Sequence, residues 1–212
     1  MKSPSIRSQP QRPEACSKTD LVHIRRMTKR NLIYAQKFIP DRMDNYDRFV
    51  DLALSFGAHG AKIIETSSIV TAEWVRMKCN FGCGYFGTSN CCPPNTPPVA
   101  QMKEVLACYQ HALLIHSRTD VRSEPHPTSV AVKLEHEMFF SGHHKAFALG
   151  AGPCRLCDMC SKGNCRHPES ARPSMEGCGI DVFQTARNNG FPIETLTDRT
   201  CGINRYSLVL ID

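Results

Sequence analysis

Cysteine placement constrains this chain more than any other feature of its sequence. The 212 residues contain twelve cysteines, and eight of them fall within residues 79–92 and 154–165. Disulfide frameworks usually spread their cysteines so that distant loops are joined, whereas clustered thiols are typical of metal sites. The polar, proline-broken start also lacks the apolar segment of an export signal. We therefore interpret the clustered thiols as metal ligands in a cytoplasmic protein.

The second cluster has the more informative spacing. Cys154, Cys157, Cys160 and Cys165 form the pattern CxxCxxCxxxxC, and its first intervals resemble those of ferredoxins. A CxxC turn places two thiolates on neighbouring irons of a four-iron four-sulfur cluster, and a third cysteine extends the wrap. Structural zinc sites usually combine two separate CxxC-like knuckles. The spacing favours a 4Fe-4S cluster, with zinc as the alternative, although bacterial ferredoxins have one residue fewer before the last cysteine.

The first cluster offers less regular spacing. It contains Cys79, Cys83, Cys91 and Cys92, the last followed by two prolines that stiffen the loop. Two adjacent cysteines rarely bind one cluster together, so we select Cys92 as the ligand and interpret Cys91 as a packing or spare thiol. If there are two clusters, Cys178 is the natural eighth ligand. One cluster, held by the second loop alone, remains the alternative.

Two longer motifs carry a family resemblance. KCNFGCGYFGTSNCCPP, followed by GPCRLCDMC and RHPESARPSMEGCGID, is similar to the predicted metal-binding protein family of unknown function. The resemblance spans roughly residues 44–212 and leaves residues 1–40 outside it. The resemblance implies metal binding and does not indicate which reaction, if any, the protein catalyses. The ligands that it implies are Cys79, Cys83, Cys92, Cys154, Cys157, Cys160, Cys165 and Cys178.

Hydrophobic periodicity predicts an α/β or α+β fold with a single sheet, helices and two cysteine-rich metal-binding loops. We predict helices over residues 44–56 and 129–149, another beginning near Pro97 and Pro98, and a short one in IDVFQTARNNG. Strands are predicted in HALLIHS, in NRYSLVLI and, once or twice, along residues 61–78. The predicted domains are a basic, disordered tail over residues 1–40 and a cysteine-rich metal-binding domain over residues 41–212.

The charge distribution limits the partners. Residues 1–40 carry nine Lys or Arg against Glu14 and Asp20, whereas the rest of the chain is nearly neutral. Nucleic acid is not expected, because its recognition needs positive charge clustered on a folded face. No apolar run approaches the roughly 20 residues that span a bilayer, so no membrane association is expected.

Other chemically suggestive residues favour structural roles. His136 and His143 stand about 10 Å apart along a helix, too far to share one ion. The isolated Cys16, Cys108 and Cys201 are typical of buried or inert thiols, and His167 has either a turn-stabilising or a cluster-tuning role. Three polar residues after the second loop are candidates for substrate contacts or for capping the next helix: Arg172, Ser174 and Glu176.

These observations predict an iron-sulfur protein that transfers electrons to a partner enzyme. Two alternatives stay open. In the first, zinc only staples a structural or binding module. In the second, the protein is an iron-sulfur-dependent oxidoreductase whose cluster keeps one open site for a substrate.

Overall fold

A computed structural model describes residues 46–119, 125–196 and 202–212. In that part of the chain there are five α-helices and four β-strands. The helices are α1 (Asp47–Ser55), α2 (Glu73–Gly82), α3 (Val99–Leu106), α4 (Pro127–Phe140) and α5 (Val182–Asn188), and the strands are β1 (Gly60–Glu65), β2 (His111–Thr119), β3 (Phe147–Leu149) and β4 (Ile203–Leu210). The predicted tail, Cys16 and Cys201 lie outside the described residues.

The four strands form one antiparallel sheet in the order β1-β2-β4-β3. Leu114 of β2 lies opposite Leu208 of β4, and Leu208 lies opposite Leu149 of β3. Because the strands of the sheet are antiparallel, the fold is α+β, which is one of the two predicted classes. No helix in the described ranges combines the length and apolarity needed to cross a bilayer.

Both faces of the sheet are buried, and this explains the unbroken apolar runs of its central strands. Leu113 and Ile115 of β2 face one hydrophobic cluster with α1 and α4. Ala112 and Leu114 face the other, which contains residues of α3 and α5. A strand covered on both faces has no polar alternation. The hydrophobic cluster that contains Ala112 and Leu114 also contains Cys178, so this face of the sheet contacts the turn that carries Cys178.

Two predicted elements are corrected by the structure. The segment AEWVRMK belongs to helix α2, because its Ala, Glu, Met, Arg and Lys residues are strong helix formers and only Val75 is β-branched. The helix predicted over residues 129–149 begins at Pro127 and ends at Phe140. Gly142, at φ 97°, stops it, and Phe147–Leu149 then pairs with β4. The seven-residue repeat that suggested one long helix crosses this glycine.

Gly179 supports a testable prediction about the turn that carries Cys178. Its φ is +80°, and an added Cβ would lie 2.4 Å from Cγ2 of Val99. We expect Gly179→Ala to lower the free energy of unfolding by about 2 kcal/mol or more, from backbone strain and the clash together. Urea denaturation measures this. Gly190→Ala is the matched control, because φ is +79° there but the space is open; equal losses would show that Val99 contributes nothing.

Candidate metal centre

None of the ten described cysteines forms a disulfide. Helix α2 carries Cys79 near its end, and Cys83 is its C-cap residue. The remaining thiols of the first stretch, Cys91 and Cys92, are buried in the loop before α3. All cysteines of the second stretch lie in an irregular loop between β3 and the Glu176–Cys178 turn. The clustered thiols are therefore carried by two segments distant in sequence.

Thiols from both segments line one small cavity, here called the thiol cavity. It has a volume of about 20 Å³. The Cys91 thiol contacts Cys154 there, and burial, reinforced by Cys154, raises the pKa of Cys91 to about 12. The two cysteine-rich loops thus meet at this point. The cysteines around the cavity are Cys91, Cys154, Cys157, Cys160 and Cys165.

Both ends of the second loop are fixed to the fold at one place. Gly150 and Ser174 form a parallel bridge, with Gly150 N donating to Pro173 O at 2.8 Å and Met175 N donating to Gly150 O at 2.9 Å. Between these ends, Gly163 N donates to Oδ1 of Asn90 at 3.3 Å. The second loop is therefore closed at its base and attached to the first loop at its tip.

A buried ion pair ties the same loop to helix α4. Arg172 donates from Nε to Oε2 of Glu135 at 2.7 Å and from Nη2 to Oε1 at 2.5 Å. Oε2 also accepts from Ala148 N at 2.7 Å. The side chains of Arg172 and Glu135 are only 12% and 10% exposed, and the hydrogen bonds that Arg172 donates to Glu135 raise the pKa of Arg172. Arg172 and Glu135 thus act together as a structural clamp between α4, β3 and the second loop.

The sulfur of Cys165 accepts a backbone hydrogen bond. His167 N lies 3.4 Å from this Sγ atom. Amide donors of this kind stabilise thiolate ligands and tune clusters. The imidazole of His167 instead faces Glu169, with Nδ1 at 3.9 Å from Oε1. The main chain, rather than the ring, therefore makes the sulfur contact for which His167 was considered.

A second group of thiols gathers around the end of α2. Burial raises the pKa of Cys79, and the nearby Cys83 and Cys92 raise it further, whereas Arg76 lowers it. Burial likewise raises the pKa of Cys178 to about 12, against the opposing effect of Arg76. Cys178 is fully buried in the sheet-side core and lines neither the thiol cavity nor the larger cavity beside α2.

Arg76 also connects the segments that hold these thiols. Its guanidinium donates to Oγ1 of Thr96 and to the carbonyl of Gly177, and the Thr96 hydroxyl donates to that same carbonyl. One carbonyl thus joins α2, the end of the first loop and the turn bearing Cys178. This arrangement fixes the position of Cys178 relative to α2.

The described residues do not converge on a single-ion site: no three His, Cys, Asp or Glu side chains come close enough to hold one metal ion. The donor set itself fits a metal-sulfur centre, because five thiols share one cavity and one sulfur accepts an amide hydrogen bond. Residues Cys154, Cys157, Cys160 and Cys165 would hold a cluster there. Cys91 stands beside them, whereas Cys92 lies nearer Cys79.

The structure places Cys91, interpreted from the sequence as a packing or spare thiol, in a buried position on the wall of the thiol cavity. Adjacent side chains point in different directions, so two consecutive cysteines can face two different groups of thiols. The adjacent pair of Cys91 and Cys92 was the feature of the sequence that could have indicated two groups of thiols. The ligand assignments themselves remain predictions.

A larger, mostly apolar cavity of about 520 Å³, here called the open cavity, adjoins the α2 thiols. Its wall includes Cys79, Cys83 and Glu176 together with the rings of Trp74, Phe183 and Tyr206. Burial raises the pKa of Glu176, although hydrogen bonds from Ser174 and from the Gly152 backbone oppose this. Ser174 also accepts from Gly177 N at 2.9 Å, so it stabilises the turn that carries Cys178.

The fold and these thiols define a cysteine-rich α+β protein whose clustered thiols lie on two segments distant in sequence. The chain belongs to the family described as predicted metal-binding protein (DUF2284), whose model matches residues 62–211. This confirms the family resemblance, although the match begins later than residue 44. Comparison with curated proteins and with solved structures gives no match.

Proposed function

We propose that this protein is an iron-sulfur redox protein of the cytoplasm that passes electrons to a partner protein. The observation that carries the proposal is the thiol cavity, where cysteines from two distant segments line one space. Four-iron clusters are held by Cys thiolates and supply one-electron chemistry. The clustering of the cysteines, which are not spread out to join distant loops, supports a reducing compartment.

The layout of the thiols favours a cluster over a single zinc ion. A tetrahedral zinc site needs its sulfurs gathered about 2.3 Å from one point. In the described residues, donors are instead distributed around a cavity without three meeting at one ion. The CxxCxxC run of the second loop suits a polynuclear cluster better than the paired knuckles of a zinc site. We propose that the second loop holds one 4Fe-4S cluster, and that Cys79, Cys83 and Cys92 hold another with Cys178 as a further ligand.

Exposed apolar side chains beside the thiols support a protein partner. On α2, Trp74, Met77 and Phe81 are 45%, 61% and 82% exposed and share one helix face. On the second loop, Met159 is 80% exposed. Contiguous exposed apolar residues mark interaction sites. We propose that a redox partner docks against this face, which would bring it next to both thiol groups.

Anaerobic purification with iron, sulfide and zinc analysis tests the proposal. We expect iron and acid-labile sulfide in equal amounts, with a visible charge-transfer absorption that bleaches on reduction. A colourless protein with stoichiometric zinc, after anaerobic reconstitution with iron and sulfide has also failed, would overturn the proposal. That result would favour the zinc-stapled module.

Replacing Cys178 tests the proposed second cluster. If Cys178 is a ligand, Cys178→Ala makes the cluster near α2 labile and lowers bound iron by about half, since each proposed cluster holds four irons. Iron analysis after gel filtration measures the loss. Cys108→Ser is the control, because Cys108 is exposed and its thiol donates to Glu104 O at 3.5 Å, away from the clustered thiols. Unchanged iron in Cys178→Ala would leave three thiols near α2 and favour an open cluster site.

A second candidate function, an iron-sulfur-dependent oxidoreductase, is favoured by one observation. The open cavity lies against Cys79 and Cys83 and is large enough for a small molecule. An enzyme would place its substrate there, beside the cluster near α2.

A further inference from the structure

The Arg76 side chain lies against the turn that carries Cys178. Its guanidinium donates to the carbonyl of Gly177, the residue before Cys178. Its aliphatic stem passes the residue after Cys178, since a Cβ added to Gly179 would lie 3.4 Å from Cγ of Arg76. Arg76 also precedes Cys79 by three positions on α2, so these two side chains share one helix face. One cation is therefore placed beside two thiols that come from segments distant in sequence.

The charge of Arg76 has only neutral hydrogen-bond acceptors in the described part of the chain. Nη1 donates to Oγ1 of Thr96 at 2.7 Å and to the carbonyl oxygen of Gly177. None of the ion pairs among the described residues includes Arg76, and its side chain is partly buried. A partly buried charge without a counter-ion is costly, and a nearby anion offsets that cost. Metal-bound thiolates at Cys79 and Cys178 would supply such an anion.

The electrostatic influence of Arg76 has the same direction at both thiols. Burial raises the pKa of Cys79 and of Cys178, whereas Arg76 lowers both. Glu176 opposes Arg76 at each thiol, but with the smaller effect. Of these two charged side chains, Arg76 therefore has the stronger influence whether or not Glu176 is ionised.

We propose that Arg76 is a tuning residue whose positive charge raises the reduction potential of the cluster near α2. This inference rests on the proposed function, because it needs the cluster proposed at that place. One-electron reduction, by the redox partner or by dithionite in an assay, adds one negative charge to the thiolate-bound centre. A fixed cation beside the centre stabilises the reduced form more than the oxidised form, because the reduced form carries the larger negative charge.

Potentiometric titration of the anaerobically purified protein tests the proposal. We expect Arg76→Gln to shift the reduction equilibrium of the centre near α2 about tenfold towards the oxidised form, a fall of about 59 mV in its midpoint potential. The signal of that centre is the one that Cys178→Ala removes. The centre at the thiol cavity is the internal reference, because Arg76 does not line that cavity, and we expect its potential to stay unchanged.

Two further variants separate the charge of Arg76 from its hydrogen bonds. Arg76→Lys keeps the charge and is expected to keep most of the potential. Thr96→Val removes the hydroxyl that donates to the same Gly177 carbonyl without changing any charge, so we expect no shift. If Arg76→Gln loses the iron of this centre, Arg76→Lys decides the question. Iron retained in Arg76→Lys supports a role for the charge, and iron lost from both variants contradicts it.

Four further results would overturn the proposal: an unchanged midpoint potential in iron-loaded Arg76→Gln, an equal fall in Arg76→Lys, an equal fall in Thr96→Val, or equal shifts of both centres. Iron and acid-labile sulfide are measured on the same samples. Unaltered protein that carries no iron after reconstitution contradicts the proposed function. An unchanged potential in an iron-loaded variant contradicts the role of Arg76 alone.

Discussion

Glu135→Ala is expected to lower the free energy of unfolding by about 3–5 kcal/mol, because it leaves Arg172 as an uncompensated buried charge. The substitution removes the two hydrogen bonds that Arg172 donates to a carboxylate, and it also removes the acceptor of Ala148 N. It also loosens the base of the second loop. Urea denaturation monitored by circular dichroism measures the loss.

Two further variants make this prediction specific. Glu137→Ala removes an exposed carboxylate from the same helix and is expected to change stability by less than about 0.5 kcal/mol. The double variant Glu135→Met with Arg172→Met is expected to recover most of the loss, because an apolar pair of similar volume often replaces a buried ion pair without cost. A double variant as unstable as Glu135→Ala would show that packing, rather than the stranded charge, causes the effect.

Cys157→Ser is expected to remove the metal of the second loop. If each loop carries one four-iron cluster, iron and sulfide fall by about half, and the visible absorption falls with them. Ser161→Ala is the control, because Ser161 also lines the thiol cavity but its hydroxyl donates to Asn164 O at 2.7 Å. Full metal content in Cys157→Ser would contradict a cluster at this site.

The cysteine doublet allows the same assay to separate the two thiol groups. Cys91 lines the thiol cavity, whereas Cys92 acts electrostatically on Cys79. We expect Cys91→Ser to perturb the signal that Cys157→Ser removes, and Cys92→Ser to perturb the signal that Cys178→Ala removes. Identical spectra for the two doublet variants would contradict two separate centres.

The central strands were predictable because their sequences match their surroundings. β2 contains the unbroken apolar run ALLI, and β4 ends in the apolar run LVL, which Ile211 continues. Both faces of each strand are covered by helices or core segments. Helices α1 and α5 likewise begin and end within a few residues of the predicted positions. Strong local patterns thus sufficed where the local preference and the tertiary environment agree.

The corrected elements show where such patterns fail. Trp74 and Val75 suggested a strand, yet the surrounding residues prefer helix. β3 is only three residues long and forms by pairing with β4, an interaction that no local sequence pattern contains. The clamp of Arg172 to Glu135 joins residues 37 positions apart, and one sequence gives no pairing information at that distance.

The cysteine spacing indicated which segments carry the thiols, but it did not indicate how they divide. Cys91 and Cys92 differ in their neighbours only through the path of the loop before α3. Glu176 was likewise a candidate for a substrate or partner contact or for capping the next helix, and only the folded chain places this residue beside the open cavity. The sequence shows which side chains can act as ligands, whereas long-range packing decides which of them lie near one another.

The second loop begins and ends at one place, because Gly150 and Ser174 at its two ends form a bridge with each other. The chain departs from the sheet side of the fold and rejoins it at the same point, so the intervening residues bear no strand of the sheet. Insertions or deletions inside this excursion would reshape the metal environment while the registers of β2, β3 and β4 stay as they are. Related chains thus have a route to alter the proposed metal site without rebuilding the domain.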